Sequence, residues 1–311
     1  FTNLTEQVEN LVHEKEKYIE AISVYLKNKA TWLRDSNRVD TKFYVGQAYE
    51  KIYLLDDAGQ YYRDCVNEIY GWTADSSKRH HIFESLPTAD ALQLRLARVS
   101  ADKDDFNKAA EYLNNIKNTK GLKEGEQIER SLILARVAEK QERFDVAEIA
   151  LKDLIDHWQS QPGKLATPWL RLAETSLKLG KKDQALLYVQ KILNAAEDAP
   201  ALVPTDVVRH ALEFAGDVYL KDGKKEKAAQ NFKRLLEKYA GNLPTASIRF
   251  KLGQIYFDQG NFQEAGKAWA PLKSDTKAAL WSKMAQDQLA QAQWQEKYKL
   301  YVDRLPAGGT K

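Results

Sequence analysis

The 311-residue sequence carries 47 Lys and Arg against 44 Asp and Glu, a net charge of +3. Charges this balanced and interleaved argue against nucleic acid as a partner. The single cysteine, Cys65, excludes an intrachain disulfide and a cysteine-rich metal site. Ala, Leu, Lys, Glu and Gln dominate while Gly and Pro are few, which predicts an almost entirely helical protein. No stretch approaches the roughly 18 apolar residues of a membrane span.

The first 38 residues predict helices without a clear repeat. Leu4, Val8 and Leu11 have helical spacing, and a second apolar set follows between Tyr18 and Leu26. The intervening HEKEKY contains neither Gly nor Pro, so the segment is either a degenerate first repeat or a long capping helix. The chain begins at residue 1 with Phe, and its one methionine lies near the other end, so we expect a fragment or a processed form.

Residues 39–272 repeat one pattern six times. The clearest copy, residues 249–272, reads RFKLGQIYFDQGNFQEAGKAWAPL; Gly253, Tyr256 and Trp269 have the spacing of two short antiparallel helices joined at Gly260. The small residues at the equivalent place in the six copies are Gly46, Ala97, Ala135, Ala173, Gly216 and Gly253. By subtraction their separations are 51, 38, 38, 43 and 37 residues. This pattern resembles the tetratricopeptide repeat (TPR), whose basic period is about 34 residues.

Pairs of proline and threonine predict where four of the repeats begin. Threonine is a good helix N-cap and proline is tolerated at the first helical position, so we expect each pair to start a first helix. The four pairs are Pro87-Thr88, Thr167-Pro168, Pro204-Thr205 and Pro244-Thr245.

The resemblance implies an all-α fold, a right-handed α-solenoid of TPR-like helix-turn-helix repeats with terminal capping helices. Residues 1–38 would form N-terminal capping helices or a degenerate repeat, and residues 39–272 the six repeats. Residues 273–305 would form a C-terminal capping helix, and residues 306–311 a flexible tail.

Motifs of catalysis are missing from the sequence. There is no Gly-rich phosphate loop, no GxSxG nucleophile elbow and no HExxH pair, so we expect no enzyme activity, no metal and no cofactor. The separation between Gly46 and Ala97 exceeds the basic repeat period by about 17 residues, and we place this insertion at residues 71–88, which contain His80 and His81. It is either a longer connector or, in the alternative hypothesis, the site of a ligand-binding, metal-binding or hydrolytic domain.

The resemblance also implies a binding surface. In TPR folds the first helix of each repeat lines a concave groove, and the positions after the small residue point into it. The candidates in this register are five basic residues: Arg98, Arg136, Lys140, Lys178 and Lys221. Toward its C-terminal end the groove becomes apolar, and the two aromatic candidates there are Phe250 and Phe257. The basic residues would receive acidic groups of a partner and the aromatic residues would pack apolar ones; alternatively, the charges only keep the helices soluble. Phe43 and Gln47 stand where chaperone-binding TPR domains carry Lys and Asn, which argues against recognition of chaperone C-termini.

Taken together, the resemblance implies a non-enzymatic adaptor that binds a peptide or protein partner in its groove. The repeat spacing is similar to that of bacterial cell-envelope TPR proteins, which implies a periplasmic protein in an envelope assembly; a cytoplasmic TPR regulator is the alternative. Pairing of two copies into a homodimer through exposed terminal helices stays open, although no heptad is long enough to require it.

Overall fold

The computed structural model describes residues 3–73, 87–159, 161–241 and 244–303. None of these residues lies in a β-strand, and most are helical, which confirms the predicted all-α class. The chain divides into two compact units, Phe1–Gln159 and Ser160–Lys311. None of the helices in the described ranges has both the length and the apolar character that a bilayer crossing requires.

The first unit consists of helices that pack in consecutive pairs. They are α1 (Leu4–His13), α2 (Tyr18–Asn28), α3 (Leu33–Ser36), α4 (Val39–Lys51), α5 (Leu55–Thr73), α6 (Ala89–Asp102), α7 (Phe106–Asn114), α8 (Glu124–Lys140) and α9 (Phe144–His157). The pairs are α1 with α2, α4 with α5, α6 with α7, and α8 with α9. Each pair also contacts the next one, and buried apolar side chains of α1, α2 and α4 to α8 form one core.

The second unit also consists of helices that pack in consecutive pairs. Its helices are α10 (Pro162–Lys178), α11 (Lys182–Asp198), α12 (Thr205–Lys221), α13 (Lys225–Lys238), α14 (Ala246–Asp258), α15 (Phe262–Trp269) and α16 (Ala279–Asp303). The first six form three pairs, and α16 packs against α14 and α15. Two short 3₁₀ turns, Ala270–Lys273 and Thr276–Ala278, connect α15 to α16.

Residues 4–28 form two helices, α1 and α2, and not one long capping helix; the short α3 follows them. The break between α1 and α2 places Glu16 in the left-handed region, with φ of 51°. Asn3 begins α1 as its N-cap, since its Oδ1 accepts a hydrogen bond of 2.9 Å from the N–H of Glu6. A buried contact of 2.7 Å between the hydroxyls of Thr5 and Thr41 joins α1 to α4. Residues 4–28 therefore form a helical pair that packs on the first predicted repeat.

Two repeats show why a small residue stands at one place in the first helix. A Cβ added at Gly46 would lie 2.9 Å from the Tyr62 ring, and one at Gly216 would lie 2.3 Å from the Phe232 ring. In each case the aromatic side chain belongs to the second helix of the same pair and is fully buried. The glycine thus lets the two helices approach closely enough to enclose the ring.

The turns inside the six predicted repeats share one geometry. The second residue after each first helix adopts a left-handed φ of between 57° and 74°. The N–H that follows it bonds back to a carbonyl in the last helical turn, as in the Schellman motif. The second unit uses glycine at this place, and the first unit does not. The residues are Tyr53, Asp104, Glu142, Gly180, Gly223 and Gly260.

Polar contacts also join the turns of neighbouring pairs. In the first unit, Gln141 donates to Asn107 Oδ1 at 2.9 Å. In the second unit, Lys182 Nζ lies 2.7 Å from an Asp222 carboxylate oxygen. Lys225 Nζ likewise lies 2.9 Å from an Asp258 carboxylate oxygen. Each contact links the start of a second helix to the end of the following pair's first helix, so it fixes the alignment of consecutive pairs.

Three of the four proline and threonine pairs lie where a first helix begins, and the fourth prediction is wrong. Thr88 caps α6 through a 3.2 Å hydrogen bond from the N–H of Ala91, and Pro204 and Thr245 directly precede α12 and α14. Residues 167 and 168, however, lie inside α10, which already begins at residue 162. Apolar side chains are buried on both sides of residue 168. Their packing stabilises the helix although the proline there has no N–H and cannot make its helical hydrogen bond.

Two predictions fall on residues that the structure does not cover. Residues 74–86, which include His80 and His81, lie outside the described ranges, and so do residues 304–311 with the predicted tail. Within those ranges, no group of three His, Cys, Asp or Glu side chains is placed to hold a metal ion.

Candidate functional site

A cleft of about 440 Å³ lies in the first unit between α4 and α6. These are the first helices of two neighbouring pairs, the surface on which the binding site was predicted. Polar and charged side chains dominate the lining, which consists of Gln47, Glu50, Lys51, Tyr53, Leu55, Arg95, Arg98 and Asp102. The cleft contains the predicted Arg98 and, beside it, Arg95, which the sequence reasoning missed.

Arg98 is held by acidic side chains of its own chain. Its Nε donates to Glu50 Oε1 at 2.7 Å, and its Nη1 donates to Glu129 Oε1 at 2.5 Å. Burial disfavours the Arg98 charge, but the two carboxylates outweigh it and raise the pKa of Arg98. Tyr62 also donates to Glu50, at 2.5 Å, and burial together with this carboxylate raises the pKa of the Tyr62 hydroxyl. Arg98 therefore links α6 to α4 and α8, and its contacts do not support the predicted role as a free receptor of acidic groups.

Arg95 occupies the same cleft with weaker ionic contacts. Its guanidinium lies over the Phe43 ring at 5.0 Å and over the Tyr62 ring at 5.9 Å from the centroids. Among the residues that the structure describes, its ion pair joins Nη1 to Glu50 Oε2 at 3.8 Å. Its side chain is partly exposed, so its donors can reach a further acceptor. The signal that could have found it is its place three residues before Arg98, on the same face of α6.

Arg136 is also engaged within the first unit. Its Nη1 donates to Asp102 Oδ1 at 2.8 Å and its Nη2 donates to the carbonyl oxygen of Ala101 at 2.9 Å. These contacts tie α8 to the C-terminal end of α6. Arg136 therefore does not present a free cation as predicted, whereas Lys140, at the end of α8, is exposed.

The remaining candidates lie in the second unit. Lys178 and Lys221 are exposed at the ends of α10 and α12. Phe250 is buried: its ring lies 5.0 Å from that of Trp281 and 5.8 Å from that of Trp269. The prediction that Phe250 packs against a ligand is therefore wrong, because α16 covers this position. Phe257 is half-buried and contacts the Phe262 ring at 5.1 Å, which leaves only part of its surface available.

Residues 215–271 match the sequence model of the family described as tetratricopeptide repeat. This segment extends from within α12 to the turn after α15, and it includes the repeat that is clearest in the sequence. No curated protein matches the chain in sequence.

Among solved structures, one similar chain is a signal transduction ATPase with numerous domains (STAND) from Pyrococcus horikoshii that has a tetratricopeptide repeat sensor. It is 12% identical, with a TM-score of 0.59 over 97% of this chain and 47% of that one. BtubC (BKLC) from P. vanneervenii is 15% identical, with a TM-score of 0.46 over 83% and 95% of the two chains. A tetratricopeptide repeat protein from Parabacteroides merdae ATCC 43184 is 15% identical, with a TM-score of 0.41 over 81% and 82%. This chain spans about half the length of the STAND protein, and that likeness shows a shared fold alone.

Proposed function

We propose that this chain is a tetratricopeptide-repeat protein that acts as a non-enzymatic adaptor and binds an acidic segment of a protein partner in the α4–α6 cleft. The match of residues 215–271 to the repeat model and the fold of the chain support the family. The observation that carries the proposal is the Arg95 guanidinium, which is held over the Phe43 ring while its nearest carboxylate, Glu50, stays 3.8 Å away. A cation fixed on an aromatic surface with donors to spare is suited to a carboxylate of a partner.

The charges in the cleft support an acidic ligand. Glu50 is shared with Arg98 and Tyr62, so it only partly compensates Arg95. Lys51 is exposed at the end of α4 and adds a second cation to the lining. Negative charge on the ligand would raise the association rate and fix the ligand's position in the cleft. Charge complementarity of this kind contributes more to specificity than to affinity.

Apolar side chains at the edge of the cleft define the rest of the ligand. Tyr53 is 78% exposed in the turn after α4, and Leu55 begins α5 beside it. An acidic residue of the partner bound at Arg95 would place a neighbouring apolar residue near these two side chains. The proposed ligand is therefore a peptide in which acidic and apolar residues stand close together.

The test begins with capture of partners from an extract of the source cells on the immobilised chain, followed by titration of an identified partner peptide. Replacing Lys51 and Arg95 together with Glu should weaken binding by about tenfold or more, and the loss should shrink at high salt. Lys108 and Lys120 are exposed in the same unit, outside the cleft, and their replacement with Glu supplies the same change of charge. Equal affinities for the two double variants would contradict the cleft as the binding site.

Location in a bacterial envelope assembly stays a prediction that rests on the style of the repeats, with the cytoplasm as the alternative. Fractionation of source cells with an antibody against this chain tests it. Recovery in the periplasmic fraction would support the envelope role, and recovery with cytoplasmic markers would support the alternative.

A further inference from the structure

The last helix, α16, carries an aromatic surface that the second unit leaves uncovered. Its first half packs through Trp281 and Ala285 into the apolar cluster around Phe250. Beyond Ala292 every described side chain is exposed, through residue 301. The exposed fractions of three aromatic side chains on this half are 63% for Trp294, 56% for Tyr298 and 62% for Tyr301. The first two stack on each other, with centroids 5.3 Å apart.

Such an extension is suited to contact with another surface. A free helical stretch of a few turns is marginal in water, and it gains most of its stability when an apolar face is covered. Leu280 and Met284, also exposed, extend the aromatic surface toward the start of α16. These two residues, the three aromatic residues and two polar residues form a row along α16. Its spacings alternate between four and three residues, as in a coiled-coil seam. We call this row the α16 seam; its members are Leu280, Met284, Asp287, Gln291, Trp294, Tyr298 and Tyr301.

We propose that the α16 seam pairs antiparallel with the α16 seam of a second copy of this chain. The order of the seam is nearly symmetric about position 289. Leu280 and Tyr298 lie nine residues on either side of it, and Met284 and Trp294 lie five residues on either side. An antiparallel pair centred there places apolar residues of one copy against apolar residues of the other. Both copies make the same contacts, as a two-fold interface requires.

The polar centre of the seam favours the antiparallel orientation. Asp287 and Gln291 lie two residues before and two residues after position 289, so Asp287 of each copy would face Gln291 of the other copy. The Gln291 amide can then donate a hydrogen bond to the Asp287 carboxylate of the second copy. A parallel pair would place Asp287 opposite Asp287, where like charges repel. Binding of a different protein would not require a symmetric order of residues in the seam. The symmetric order therefore favours a second copy as the partner.

The oligomeric state of the full chain tests the pairing. Light scattering during gel filtration at micromolar concentration should give the mass of a dimer for the wild type. Replacing Trp294 and Tyr298 together with Glu should give a monomer with an unchanged circular dichroism spectrum. The control replaces Ile149 and Leu187, which are 62% and 51% exposed on other helices, with Glu and should stay dimeric. A monomeric wild type, including one that binds a different protein through the seam, overturns the proposal, as does a dimeric Trp294 and Tyr298 variant.

Disulfide cross-linking tests the orientation. The variants Asp287→Cys and Gln291→Cys, one of them tagged to change its mass, are mixed and oxidised. The antiparallel pair predicts a cross-link between unlike variants, and a cross-link only between like variants overturns it. Gln293→Cys is exposed but outside the seam, so it should stay uncross-linked. The native Cys65 is fully buried and does not compete.

Discussion

Gly253 and Trp269 are in closer contact than a larger residue at position 253 would allow. A Cβ built on Gly253 would lie 2.1 Å from the indole Nε1 of Trp269, far inside van der Waals contact. The same indole nitrogen donates to the carbonyl oxygen of Phe250 at 3.1 Å, so the ring is fixed by a hydrogen bond as well as by packing. The pair α14 and α15 therefore depends on the absence of a side chain at one position.

The variant Gly253→Ala should destabilise the protein, because the buried indole can move only by giving up its hydrogen bond. The expected loss is about 1 to 3 kcal/mol of unfolding free energy, the usual range for an overpacked core. Gly266→Ala is the matched control, because Gly266 also lies within a helix, α15, and a Cβ there would meet nothing within 4 Å. It should gain about 0.5 to 1 kcal/mol from helix propensity. Urea denaturation measures both, and equal midpoints for the two variants would contradict the packing argument.

Glycine should improve the turn between α8 and α9. Glu142 adopts a φ of 57° there, whereas the equivalent residue of the next pair, Gly180, adopts 74° without a Cβ. Glu142→Gly relieves the left-handed strain and should raise the unfolding free energy by about 0.5 to 1 kcal/mol after the entropy cost of glycine. Glu142→Ala keeps the strained Cβ and should give no gain. A loss of stability in the glycine variant would show that the Glu142 side chain matters more than the strain.

The contact between Lys182 and Asp222 should appear in the titration of the carboxyl group. The hydrogen bond from Lys182 lowers the pKa of Asp222, and the same contact raises the pKa of Lys182. A lowered folded-state pKa contributes stability above the pKa of the unfolded chain, and this is lost as pH falls through the folded value. Lys182→Gln should therefore move the NMR titration midpoint of Asp222 upward, whereas Lys233→Gln, on the exposed face of α13, should leave it in place.

Cys65 should be inert toward thiol reagents in the folded protein. Burial raises the pKa of its thiol to about 12, and its Sγ donates to the carbonyl oxygen of Val39 at 3.5 Å. Because the thiolate is the reactive form, labelling at mildly alkaline pH should proceed only as fast as the first unit opens. A Gln293→Cys thiol, which is exposed and lies outside the α16 seam, should react at once under the same conditions. Immediate labelling of Cys65 would contradict its burial.

The sequence was sufficient for the helices and for their pairing. Each predicted repeat corresponds to a pair of consecutive helices, because the signals that define a pair are local. Small residues such as Gly216 meet a ring sixteen positions later in the same pair, and residues such as Gly223 end the first helix by their own backbone preference. The sequence left open whether the first segment breaks near Glu16, because neither Gly nor Pro marks that position.

The candidate site depended on contacts between pairs, which only the tertiary structure could decide. Arg98 and Arg136 occupy the predicted faces, but their acidic partners come from neighbouring pairs 31 to 48 positions away and satisfy them. Phe250 was predicted to meet a ligand, and α16 covers it instead. Helical spacing fixes the face on which a side chain stands. What lies opposite that face depends on how the next pair packs, and this is why local pattern determined the repeats while the fold decided which cations remain available.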